Sequence, residues 1–422
     1  MNIIFIVLGA SVVFYLAYRT YGTFLAKKVF FLNNENVTPA VEMEDGLDYV
    51  PTEPKFLLGQ HFSAIAAAGP ITGPIIAGIA YGWVPALIWI MIGSIFIGGV
   101  HDMGALVASV RNKARSITET VRTNVSQSAW VLFNLFIFVT LVMIIVAFTD
   151  ITTASFVNTI DIGNGQMVGG GAIATSSMLY LALPIIMGLL LRYTKLSLGW
   201  ATIIFLPLVG VAIWVGQYIP FNLQQILGLE TPLAAQKVWN VIILIYCFIA
   251  AIVPVWALLQ PRGHLGGYFL YAAVLVAAIG VLFGGFKVQY PAFTKPMGEG
   301  FWFPMFPMLF ITVACGACSG FHSLVSSGTT SKQLKREGDA KVIGYGAMLM
   351  EGVVALIALA TVMILTKDSE LLAKSPNFVY ASGIGSFMKL IGVSPAFGIS
   401  FGLMAFTTFV YDTLDICTRL GR

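Results

Sequence analysis

The sequence predicts an all-α polytopic integral membrane protein of about eleven transmembrane helices. Three observations predict it. Only 10% of the 422 residues are charged and 58% are hydrophobic, whereas a soluble domain carries about 25% charged residues. The mean hydropathy is +0.88. The apolar residues also fall in runs of about 20 to 25, the length that crosses a bilayer as a helix, and eleven such runs take up more than half the chain. The short connections leave no room for a sizeable aqueous domain. With 23 basic against 19 acidic residues the net charge is +4, which excludes the strongly basic footprint of a nucleic-acid partner. Four cysteines do not make a disulfide framework.

The first run, Ile3 to about Phe24, is apolar and uncharged up to Arg19. A signal peptide wants a basic start and a small-x-small cleavage site, so this run reads as a retained helix. The next runs are 60–80, 83–110, 127–150, 172–191, 196–216, 236–258, 264–285, 303–328, 342–366 and 395–416. The longer polar connections are 26–58, 151–171, 217–235, 286–302 and 367–393. Residues 116–126 suit a short surface helix. The moderately apolar 376–392 suits a segment that returns to the membrane edge.

Basic residues favour the cytoplasmic connections. One alternate set of connections holds seventeen of the 23, from Arg19 and Lys27 through Arg111 and Arg262 to Arg419 and Arg422; the other holds Lys237, Lys287, Lys295, Lys367, Lys374 and Lys389. The N-terminus is therefore expected outside and the C-terminus in the cytoplasm. Eleven helices parse as one transmembrane domain: an extra N-terminal helix (1–30), a five-helix repeat (57–216) and a second one (236–422). Two tandem units of odd helix number have opposite orientations, the inverted-repeat design of many secondary transporters. Both open with a Gln close to a His, Gln60-His61 and Gln260 with His264.

The apolar pattern breaks twice. In the first break Gly69-Pro70 and Gly73-Pro74 fall at mid-span, and proline removes a donor and crowds the preceding turn. The expectation is an unwound stretch from Ala68 to Pro74. The half-helix restarting near Thr72 would then aim free N–H groups at a carboxylate. The alternative is a kinked helix packed through Ala and Gly. The second break, Ala314 to Thr330, carries Gly316 and Gly320 with hydroxyls at Ser319, Ser323, Ser326, Ser327 and Thr329. These hydroxyls would hold a sodium ion, or else bond their own helix carbonyls.

Ionisable residues inside spans are costly and mark function by default. His101-Asp102 precedes Arg111 by nine to ten residues, about 14 Å of helix. Glu351 lies at a comparable depth, ten residues after Lys341, and His322 lies ten before Lys332. Asp412, Asp415 and Arg419 share a helix face, and Asp415 with Arg419 can pair at a helix end. Cys315-x-x-Cys318 reads as two small apolar-like residues. No zinc-protease motif, nucleotide-binding loop or hydrolase elbow occurs, so no metal, cofactor or enzymatic activity is expected.

Gly59-Gln-His-Phe-Ser-Ala-Ile-Ala-Ala-Ala-Gly-Pro-Ile-Thr-Gly-Pro74 resembles the first signature of the carbon-starvation protein A (CstA) family. So do Gly99-Val-His-Asp-Met with Arg111, Pro254-Val-Trp-Ala-Leu-Leu-Gln-Pro-Arg262, and Ala314 through Leu334 followed by Ile343-Gly-Tyr-Gly-Ala-Met-Leu-Met-Glu351. At position 101 the family often has Gln. The resemblance runs from about residue 1 to the C-terminus. It implies a LeuT-like five-plus-five core like that of amino acid–polyamine–organocation transporters. It also implies uptake of pyruvate or peptides, proton-coupled, during nutrient stress. Many members continue with further helices beyond Arg422, so the chain reads as a short form or a trimmed one.

The expected function is a secondary transporter importing pyruvate or a similar small carboxylate across a prokaryotic inner membrane. A peptide transporter of the same fold is the alternative, and a channel or nutrient-sensing component is the alternative of another class. The expected partners are that substrate, a proton or sodium ion and the lipid bilayer. The expected substrate site comprises His61, Gly69, Pro70, Thr72, Gly73, His322, Ser326 and Ser327. His61 and His322 serve there as partners of the substrate carboxylate, with Arg262 in reserve because it reads as a topology charge. The expected coupling site comprises His101, Asp102, Ser323, Glu351 and Asp412.

Overall fold

The computed structural model describes residues 1–161, 167–254, 256–294 and 304–420. Lys295 and Arg422, used above for orientation, lie outside them, as do Val255 and residue 303. The helices are α1 (Ile3–Val29), α2 (Pro54–Ile65), α3 (Gly69–Tyr81), α4 (Trp83–Arg111), α5 (Gln127–Val157), α6 (Gly171–Tyr193), α7 (Leu198–Tyr218), α8 (Pro232–Ile252) and α9 (Leu259–Phe283). After them come α10 (Met305–Thr312), α11 (Ala314–Cys318), α12 (Phe321–Val325), α13 (Glu337–Met363), α14 (Pro376–Lys389) and α15 (Pro395–Leu420).

The chain is a multi-pass membrane protein. Among the described residues nine helices are long and apolar enough to cross a membrane, or ten if α2 and α3 form one span bent by 48°. The expected run 303–328 comes instead as α10, α11 and α12, followed by a π-helical turn, Ser326–Thr330. Glycines and hydroxyl residues explain the fragmentation, since both weaken a continuous helix.

Two further departures are local. Helix α5 runs on to Val157 into the connection expected from 151. An antiparallel ribbon follows, β1 (Thr159–Asp161) and β2 (Met167–Gly169), with Thr159 opposite Gly169. The expected surface helix is present as Ile117–Asn124, capped where Ser116 Oγ accepts from the Glu119 N–H at 3.4 Å.

The chain divides into two compact units, each drawing on both halves of the sequence. The first comprises residues 1–4, 144–290 and 360–419; the second comprises 5–143, 291–359 and 420–422. In the first, α15 has 94% of its apolar window buried inside the protein. It packs closely on α14: a Cβ added at Gly402 would lie 2.7 Å from Ala381 Cα, so only a small residue permits this approach. In the second unit α3 packs against α10 and α11 by the same means. A Cβ at Gly69 would lie 2.3 Å from Cys315 Cβ, and one at Gly73 the same distance from the Thr312 carbonyl oxygen.

The break between α2 and α3 corrects the expectation drawn from the Gly-Pro pairs. The chain leaves the helix at Ala66 (φ −74°, ψ 57°) and re-enters it at Gly69, so residues 66–68 are non-helical and 69–81 are helical. Pro70 occupies the first turn of α3, where its missing N–H costs nothing. Pro74 sits inside the helix. The prolines therefore start the second half-helix and do not unwind it.

Candidate functional site

The second unit buries a line of ionisable side chains. Helix α4 carries His101 and Asp102 one turn after a π-helical stretch, Gly93–Gly98. Asp102 is fully buried and His101 is partly exposed. Asp102 Oδ1 accepts from His101 Nδ1 at 3.0 Å, and Oδ2 meets His322 Nδ1, from α12, at 2.7 Å. The other ring nitrogen, His322 Nε2, lies 3.0 Å from Glu351 Oε2 on α13, an ion-pair contact whose angles fall short of a hydrogen bond. His322 and Glu351 are both buried.

An imidazole flanked on both nitrogens by carboxylate oxygens must share at least two protons along the line. Both can sit on the ring, or one on the ring and one on Glu351. The arrangement can therefore hold a proton and pass it between groups without passing through bulk water.

His61, near the end of α2, is buried, and its Nδ1 shares a 2.8 Å hydrogen bond with Thr330 Oγ1. Its Nε2 is buried without a hydrogen-bond partner among the described residues, and Ser326 Oγ stands likewise. These two groups have unused hydrogen-bonding capacity. The remaining hydroxyls of the second break bond their own backbone. Ser323 Oγ donates to Gly320 O at 2.8 Å, Ser327 Oγ to Ser323 O at 2.7 Å and Thr329 Oγ1 to Val325 O at 3.0 Å. Thr72 Oγ1 donates to Ala68 O at 3.0 Å. Gly69, Pro70, Thr72 and Gly73 form the first turn of α3.

Asp412 falls in the first unit, away from this set in sequence and fold element. There Arg262, from the first turn of α9, is wholly buried. Its Nε lies 3.1 Å from Asp412 Oδ1, and its Nη1 contacts Asp415 and the Tyr246 hydroxyl. Tyr246 Oη donates to Asp415 at 2.8 Å, and the rings of Tyr246 and Tyr411 lie 5.4 and 5.1 Å from the guanidinium. This corrects two expectations. Arg262 is no topology charge at a turn, because Leu259 and Pro261 carry it into the core at the start of a buried helix. Asp415 pairs with Arg262, and Arg419 Nη1 donates to Val253 O at 3.1 Å. The missed signal was an arginine immediately after a Gln-Pro and before a glycine-rich helical face, Gly263, Gly266 and Gly267.

His264 shares a 2.7 Å hydrogen bond with Thr202 Oγ1. Among the described residues no group of three or more His, Cys, Asp or Glu side chains is placed to hold a metal ion.

The family profile described as "Carbon starvation protein CstA" matches residues 2–379. The chain is 35% identical over 404 residues to the protein named Peptide transporter CstA of Helicobacter pylori (strain ATCC 700392 / 26695), covering 95% of this chain and 56% of that one. It is 36% identical over 396 residues to the Escherichia coli (strain K12) protein of the same name, covering 90% and 53%. To the Escherichia coli (strain K12) protein named Pyruvate/proton symporter BtsT it is 33% identical over 377 residues, covering 86% and 49%. The chain thus spans about half the length of these curated relatives. No solved structure matches it significantly. A profile match over most of the chain, with relatives of this similarity, places the sequence: it belongs to the carbon starvation protein CstA family.

Proposed function

We propose that the chain is the translocating core of a proton-coupled secondary transporter that imports a small carboxylate nutrient. Pyruvate is the first substrate and a short peptide the second. The observation that carries this reading is the buried line Asp102–His322–Glu351, in which one imidazole meets a carboxylate on each side. Three titratable groups sealed from water in this way are costly to keep unless they work on a proton. Proton is favoured over sodium because the hydroxyls that would ligate sodium bond backbone carbonyls instead.

In this reading Asp102, His322 and Glu351 couple the proton, His101 links Asp102 to the exterior, and Ser323 shapes the α12 turn. The substrate carboxylate meets the start of α3, at Gly69, Pro70, Thr72 and Gly73, where the Ile71 and Thr72 N–H groups already bond the Ala68 carbonyl and Pro70 has none, so the Gly69 N–H with His61 Nε2 and Ser326 supplies the donors. Ser327 lies beside them on the same turn. His322, with both nitrogens facing carboxylates, moves from the substrate set to the coupling set. The name of the Escherichia coli pyruvate/proton symporter supports pyruvate, and the names of the peptide transporters support the second substrate. We infer the rest of the plan on the same footing: a LeuT-like pair of inverted repeats, 57–216 and 236–422, behind an extra N-terminal helix, in a prokaryotic inner membrane.

Uptake into proteoliposomes tests this. Labelled pyruvate, and separately a labelled dipeptide, is offered with an inward proton gradient or an inward sodium gradient. Accumulation of pyruvate driven by the proton gradient alone is expected. Accumulation driven by sodium alone, or equilibration without concentration of either solute, would sink the proposal.

A further inference from the structure

A groove of about 340 Å³ runs along the outside of the second unit, within the ~300–1,000 Å³ range of ligand clefts. One wall is α1 from Ser11 to Tyr18, the other is α13 from Val342 to Val353, and Leu58 of α2 closes it. The lining is apolar or aromatic apart from Ser11, whose hydroxyl donates to Val7 O at 2.7 Å. Only 22% of the apolar window of α1 is buried inside the protein, so this helix stands against the bilayer. From Val342 to Val353 helix α13 rises about 16 Å, the depth of one leaflet of a hydrocarbon core about 30 Å thick.

Positive charge gathers at one end of the groove. Lys341 precedes Val342, with its Nζ 4.3 Å from the centroid of the Tyr18 ring and donating to Thr23 Oγ1 at 2.8 Å. An ammonium has three donors, so the Thr23 bond leaves others for a ligand. Arg19 and Lys27, both exposed on α1, are the charged groups that act on Lys341 among the described residues, and both repel it. The Lys and Arg ion pairs of this unit involve Arg111, Arg122, Lys335 and Arg336, and leave these three cations out.

We propose that the groove is a binding site for one anionic phospholipid, with an acyl chain lying between α1 and α13 and the phosphate meeting Lys341, Arg19 and Lys27. Like charges held together at a membrane surface repel, and an anion relieves that repulsion. A zwitterionic headgroup brings its own cation and gains less. A second copy of the chain docked here symmetrically would set its own Arg19, Lys27 and Lys341 against these, so charge favours the lipid over a dimer. The inference stands whether or not the protein transports pyruvate.

Native mass spectrometry of the delipidated full chain in detergent, titrated with dioleoyl phosphatidylglycerol or dioleoyl phosphatidylcholine, tests this. The first phosphatidylglycerol should bind more tightly than later ones and more tightly than phosphatidylcholine. Lys341→Gln should weaken that first step about fivefold, the usual effect of one basic residue near an anionic lipid, and leave phosphatidylcholine unchanged. Arg19→Gln repeats the test without touching the Lys341–Thr23 bond. Gly346 lines the groove, and a Cβ there would make ordinary contact with Tyr18 at 3.5 Å. Gly346→Leu therefore fills the groove and should remove the tight first step, whereas Lys389→Gln, a cation of the other unit, should leave it intact. Equal binding of the two lipids overturns the proposal, as does an unchanged phosphatidylglycerol titration in Arg19→Gln, Lys341→Gln and Gly346→Leu. A dimer that binds no lipid at this step also overturns it.

Discussion

His322 is the residue on which the second unit turns, because each ring nitrogen addresses a different helix: α4 through Asp102 and α13 through Glu351. The depth of Asp102 and Glu351 was legible in the sequence, since each sits about ten residues from a basic helix end. Their common partner was not, because α12 lies more than 200 residues from α4 and sequence carries no register between distant helices. Arg262 was misread for a related reason: a basic residue near a proline looks like a turn charge until a distant helix supplies its carboxylates. If the line moves a proton, neutral amides at its ends stop the coupling without emptying the substrate site. Asp102→Asn and Glu351→Gln should each abolish gradient-driven accumulation while keeping counterflow exchange of labelled for unlabelled pyruvate. Full concentrative uptake in both variants would take the line out of the mechanism. His322→Ala leaves two carboxylates facing each other without their bridge. Breaking a buried pair in this way costs about 3–5 kcal/mol, so its unfolding midpoint in detergent should fall well below those of the two amide variants.

At the scale of elements, the position of the break was legible only to within a few residues. The Gly-Pro pairs did announce a discontinuity in the run 60–80, and the structure has one, with a 48° bend between α2 and α3. Its exact place follows from helix-end chemistry, since proline is at ease in a first turn and moves the break ahead of itself. The glycines serve packing instead. At Gly73 the Thr312 carbonyl oxygen occupies the space of a Cβ, and backbone cannot move aside; at Gly69 the obstacle is the Cys315 side chain. Gly73→Ala and Gly69→Ala should each lower stability by about 1–3 kcal/mol, the usual cost of overpacking, with Gly73→Ala the worse. Gly9→Ala and Gly199→Ala, which meet nothing within 4 Å, are the controls, and should be neutral or mildly stabilising in a helix. Thermal unfolding in detergent reads all four; equal behaviour of Gly73→Ala and Gly199→Ala would show that α3 does not rely on close approach to α10.

At the scale of the whole molecule, hydropathy legibly set the class, and the spacing of basic residues gives an expected orientation. The burial of Arg262 tests that second inference, because a buried arginine is no vote for the cytoplasm. Removing it from the seventeen leaves sixteen against six, so the bias survives its loss. What composition could not supply was the fragmentation of 303–328: the run is apolar enough to span, and the helix ends inside it are written in backbone angles and not in hydropathy. The orientation has a direct measurement. Lys113 lies just past the end of α4, and Lys367 just past the end of α13; the charge bias assigns the first to the cytoplasm and the second to the outside. The native cysteines sit in helices, buried or half-buried, so a new surface cysteine can be read against a low background. In intact cells a membrane-impermeant maleimide should label Lys367→Cys at once and Lys113→Cys only after permeabilisation. The reverse pattern would invert the topology, and with it the side from which the proposed proton and substrate would enter.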